Sequence, residues 1–182
     1  MKKLLSLICA LVVMTGCSCA ANMDNTPTKK VEAMLAKYQS LDADVLNDLD
    51  NVINNETLFN DDQKDEYRNI MKKHYQDLTY EIKDETIDGD NAVVTVEIEV
   101  NDYSKVMANA DQYLEEHREE FYNEENEYDE GLFTKYRLEQ LKDADEKVKY
   151  TLELSLTKKN GEWTLDELSD ADRSKINGMY ES

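Results

Sequence analysis

Apolar positions recur with two different periods along this chain, and the change between them divides it into regions. Val31, Met34, Leu35 and Tyr38 follow i, i+3, i+4, i+7 spacing, the stripe of an amphipathic helix. Thr26-Pro27 opens that helix with an N-cap threonine and a proline at the first helical position. Asp42 can cap a second helix bearing Val45, Leu46, Leu49, Val52 and Ile53. Asn60 and Gln63 form a capping-box pattern before a third stripe of Tyr67, Ile70, Met71, His74, Tyr75 and Leu78. The period then drops to two. Thr79 to Ile87 alternates, Asp88-Gly89-Asp90-Asn91 reads as a turn, and Ala92, Val94, Val96, Ile98 and Val100 share one face, which predicts a hairpin with one buried side. Val148, Tyr150, Leu152, Leu154 and Leu156 repeat the pattern. The Asn160-Gly161 turn and a return strand with Trp163 and Leu165 follow.

Between the hairpins, residues 103–146 are helical in pattern and acidic. Val106, Met107, Ala110, Tyr113, Leu114, His117 and Phe121 form one stripe, and Leu132, Phe133, Tyr136 and Leu141 another. Residues 123–129 read as an exposed loop, and the tail after Leu168 suggests a short last helix. The expected architecture is α+β: N-terminal helices packed on a curved antiparallel sheet of two hairpins, with a helical insertion at 103–146, all in one domain over 27–182.

The first residues change the picture from a soluble domain to an addressed one. Met1-Lys2-Lys3 is positive, and Leu4 to Val13 is apolar but too short for a span of about 20 residues. Met14-Thr15-Gly16-Cys17 ends it. This resembles the lipobox of bacterial lipoproteins, with Met14 where leucine is usual. The resemblance implies a signal peptide over 1–16, a diacylglycerol on Cys17, a tether over 17–26 and attachment to the extracytoplasmic face of the cell membrane. An ordinary secretory signal cleaved before Met23, or a retained anchor helix, is the alternative.

With Cys9 in the signal and Cys17 acylated, Cys19 would be the only thiol left, so no internal disulfide can form. The folded domain then has neither a thiol nucleophile nor a cysteine metal site.

Charge excludes further classes. The 182 residues hold 41 acidic against 21 basic side chains, a net charge of −20. Loss of Lys2 and Lys3 with the signal would make it −22. Nucleic acid needs clustered cations, so it is not an expected partner, and the protein part should not adsorb to anionic headgroups by itself.

Candidate chemistry is sparse. His74 and His117 fall on apolar stripes, where they could line a pocket or simply be satisfied core histidines. Asp84 follows Tyr80 and Ile82 on the face expected to be buried, and Asp84, Tyr80 and Tyr150 make a candidate trio for proton transfer. Trp163 could be a ligand platform or core packing. No spacing supports a metal site, and no phosphate loop or nucleophile elbow occurs, so no metal or cofactor is expected.

Cys17, the helix opening at 27–31, the Asp88-Gly89-Asp90 turn before Ala92 to Val100, and Lys159-Asn160-Gly161-Glu162-Trp163 together carry a second resemblance. The chain resembles the nuclear transport factor two-like (cystatin-like) superfamily. More narrowly, it resembles the small lipoproteins of Gram-positive bacteria that carry such a domain behind a lipobox. The superfamily holds enzymes, ligand binders and dimerisation modules, so the fold implies no single role. The leading expectation is a non-enzymatic binding or interaction domain at the cell surface, for a small ligand, an envelope protein or a second copy of itself. A small-substrate isomerase or dehydratase is the alternative. An acidic immunity or inhibitor lipoprotein, whose binding would weaken with salt, is a third.

Overall fold

Capping side chains start each of the first three helices where the sequence places them. The computed structural model describes residues 25–181, so the lipobox and the first part of the tether lie outside the described residues. Thr26 accepts from the Lys29 amide to begin α1, Pro27–Ser40, and Asp42 accepts from Asp44 to begin α2, Ala43–Asn55. Asn60 and Gln63 form the full reciprocal capping box of α3, Asp61–Gln76. Leu41, with φ of 56°, ends α1 in the left-handed region and turns the chain sharply into α2.

Four strands follow: β1, Thr79–Asp88; β2, Asn91–Asn101; β3, Lys147–Lys159; and β4, Glu162–Leu165. They lie in one antiparallel sheet in the order β1-β2-β3-β4. The two hairpins are thus joined edge to edge, β2 against β3 over its whole length from Asn91↔Thr157 to Asn101↔Lys147.

One face of the sheet is buried along β2 and the middle of β3. Val94, Val96, Ile98, Leu152 and Leu154 meet Val31 and Leu35 of α1, Leu49 and Ile53 of α2, and Ile70 and Met71 of α3 in a single core. Each such side chain removed from water contributes about 2 kcal/mol. The opposite face is polar, with Lys83 and Lys149 on either side of Glu97 at 3.5 and 3.0 Å.

The insertion connects β2 to β3 at one end of the sheet. It comprises α4, Tyr103–Glu116, a 3-10 turn at Arg118–Phe121, and α5, Glu130–Lys142. The stripe running from Val106 to Phe121 is therefore broken. The helix stops at Glu116, and Phe121 swings under α5 to stack edge-on against Phe133, 5.1 Å between centroids. Ala110, Phe121 and Phe133 make a small core of their own, shielded by Tyr113 and Tyr136.

After β4, α6, Asp170–Ile176, runs past the free edge of β3, where Lys175 Nζ donates to the Thr151 carbonyl at 2.9 Å. This blunts the part of that edge that the short β4 leaves uncovered.

Candidate functional site

The expected proton-transfer trio is not assembled. Tyr80 pairs with Ile98, and Ile98 with Tyr150, so the two tyrosines share one row on the helix side of the sheet. A bulge between Ile82 and Asp84 then shifts the register by one residue. Asp84 sits opposite Thr95 rather than Val94, which moves it to the polar face, where it is exposed. This corrects its expected burial. The following residue, Glu85, turns towards α1 and accepts from the Thr28 amide at 2.9 Å and the Thr28 hydroxyl at 2.6 Å, an anion at a helix N-terminus. Tyr150 donates to the Tyr180 carbonyl at 3.1 Å.

The two histidines are also apart. His74 is 1% exposed, lies on the Tyr103 ring at 4.6 Å, and donates from Nε2 to the Ile176 carbonyl at 2.8 Å. A carbonyl can only accept, so that bond fixes the tautomer and leaves Nδ1 as a bare lone pair, buried and without a partner among the described residues. Burial outweighs the Ile176 bond and pushes this imidazole down to about 4. His117 stands at the other end of α4, about 20 Å along the helix from Tyr103. There it stacks on Tyr113 at 4.1 Å, and its Nδ1 donates to the Tyr113 carbonyl at 3.2 Å. Each histidine thus serves a structural contact.

Trp163 is 6% exposed in the core near α1. Its backbone amide donates to Asn25 Oδ1 at 2.9 Å, while Asn25 Nδ2 donates to the Gly161 carbonyl at 2.9 Å. Among the described residues no group of three or more His, Cys, Asp or Glu side chains is placed to hold a metal.

The structure instead opens a cleft of about 560 Å3 between α3, the end of β2 and the segment after α5. Ile70, Tyr103 and Ala144 line its apolar part, and Asp62, Asp65, Glu66, Asn69, Lys73 and Lys142 its polar part. Lys142 closes on Glu66 at 3.2 Å, and Asp65 pairs with Arg68 at 2.5 Å. The side chains of Asp62 and Lys73 have no ion pair among the described residues and remain available at opposite ends of this face of α3, about 16 Å apart. A second, narrower groove of about 220 Å3 runs between α2 and α5 beside Val52 and Leu58.

Sequence reasoning named Ile70 only as a stripe residue and missed the cleft. Its polar residues occupy the solvent side of α3, which any amphipathic helix would show. Its other wall comes from residues 101–103 and 142–144, far away in sequence.

No protein-family model matches the chain, and no curated protein matches it. Among solved structures it is similar to a provisionally described lipoprotein, ycdA, of Bacillus subtilis subsp. subtilis str. 168. Identity is 17% and the TM-score 0.40, over 68% of this chain and 39% of that one. The chain thus spans well under half the length of that protein.

Proposed function

We propose that this chain is a lipid-anchored binding protein on the extracytoplasmic face of a membrane, taking a small ligand in the α3–α5 cleft without catalysis. Met14-Thr15-Gly16-Cys17 behind a positive, apolar leader supports the anchor. No helix among the described residues is long and apolar enough to cross a membrane. A diacylglycerol on Cys17 would supply two acyl chains, which is what stable attachment takes.

The observation that carries the binding reading is the cleft itself, with apolar Ile70, Tyr103 and Ala144 between two uncommitted opposite charges. A ligand spanning it would present a cation to Asp62 and an anion to Lys73, with an apolar middle. Placement of Asp84 on the polar face takes the only acid of the proposed trio away from Tyr80 and Tyr150, which weighs against the isomerase reading.

Native mass spectrometry of the full chain, extracted in detergent from its own host, tests the proposal. A stoichiometric small-molecule adduct is expected. Asn69→Trp, which fills the cleft from an exposed position on α3, should abolish it. A bare chain, or an adduct that survives Asn69→Trp, contradicts the assignment of this cleft.

A further inference from the structure

We infer that the pole of the domain bearing the two hairpin turns faces the bilayer, and that the cleft is held at the opposite pole. This rests on the lipid-anchor reading above.

The first observation is where the chain enters the fold. Asn25 is clamped to Gly161 and Trp163, beside the β3–β4 turn. The β1–β2 turn lies next to it, since the Lys158 amide donates to the Asp90 carbonyl at 2.7 Å. Both turns and the start of α1 therefore form one pole. From Cys17 to Asn25 the chain spans at most about 28 Å. β2 alone runs about 33 Å from this pole to Asn101, which lines the cleft. The lipid can thus lie close to the turns, whereas the cleft is further from Asn25 than the whole tether is long.

The second observation is independent and electrostatic. Residues 25–32, 85–91 and 157–163, which build the turn pole, hold four lysines against five acidic residues. The insertion at 103–146, which leaves the other end of the sheet, holds five basic against fourteen acidic residues, nearly half of the chain's net charge of −20. A bilayer carrying anionic lipid repels that acidic end and tolerates the nearly neutral one, within a Debye length of about 8 Å at physiological salt. Tether and charge therefore favour the same orientation. Ile87 and Val93 beside the β1–β2 turn are 51% and 39% exposed, and they give this pole apolar side chains suited to a headgroup boundary.

The test uses the full acylated chain in vesicles of phosphatidylcholine and phosphatidylglycerol, with Cys19→Ser to remove the competing thiol. A donor fluorophore is placed on Lys159→Cys or on Glu125→Cys, both exposed, and an acceptor on the lipid headgroups. Transfer from position 159 is expected to be about twofold greater than from 125, given the tether and strand lengths. Equal transfer, or more from 125, with acyl mass present on Cys17, overturns the orientation alone. Absence of acyl mass and loss of co-flotation with vesicles overturn the anchor reading and the orientation together.

Discussion

Gly178→Ala is expected to destabilise the domain more than alanine at any other described glycine. Gly178 has φ of 69°, and a β-carbon there would stand 2.1 Å from the Asn101 carbonyl oxygen and 3.0 Å from Cε1 of His74. Backbone cannot yield as a flexible side chain can, so the segment must move. Moving it breaks a set of bonds: the Ser104 amide donates to the Gly178 carbonyl at 2.8 Å, Tyr75 donates to Asn177 at 3.0 Å, and His74 holds the Ile176 carbonyl. Strain and lost bonds together should cost about 3 kcal/mol or more. For a domain of this size that lowers Tm by about 10 °C. Gly161 is the control. It has φ of 86° but open space around it, so Gly161→Ala should cost only the left-handed penalty, about 1 kcal/mol. Thermal unfolding of the two variants side by side separates the effects, and equal losses would mean that the C-terminal segment is not held as described.

The second large effect is a loss of stability in mild acid. His74 titrates near 6.5 when unfolded and near 4 in the fold, chiefly because it is buried. Between those values the unfolded chain binds the extra proton and the folded one does not, so stability falls as pH drops through this window and levels off below about 4. At pH 4.5 the loss relative to neutral pH is about 2 kcal/mol. The lone pair on Nδ1 shows the structural reason: a proton there would create a charged, buried donor with no acceptor among the described residues.

Lys37 beside Asp44 and Lys149 beside Glu97 hold those carboxylates below their ordinary range, so their protonation also costs stability in acid, and the contribution of His74 is read from a difference. His74→Gln can keep a donor to Ile176 but cannot titrate. Its stability deficit at neutral pH should shrink, and then reverse or vanish, as pH falls to 4.5. Denaturant midpoints of both proteins across pH 7.5 to 4.5 check this, and parallel curves would rule out a buried neutral His74.

Local signals were faithful in this chain, and long-range ones were absent from the pattern. Thr26, Asp42, and Asn60 with Gln63 cap the helices they announce, and Asn160-Gly161 makes the turn it announces. Each of these acts within about four residues, so the sequence states them directly. The bulge after Ile82 is different. Tyr80, Ile82 and Asp84 alternate whether or not one residue is skipped, and only the pairing with β2 shows that Asp84 has crossed to the other face. His74 reads as a stripe residue, but its bond to Ile176 spans 102 positions. Asn25 reads as tether, but its side chain fastens a turn 136 positions away. Residues of the cleft carry no shared signal either, because helix surface, strand end and loop contribute its walls separately.

Both the surface role and the orientation depend on the anchor at Cys17. Its most direct test is the intact mass of the full chain recovered from host membranes, with fragmentation of the N-terminus. The predicted result is a chain that begins at Cys17 and carries a diacylglycerol on that sulfur. An unacylated chain beginning elsewhere, or acyl mass on Cys19, would contradict it.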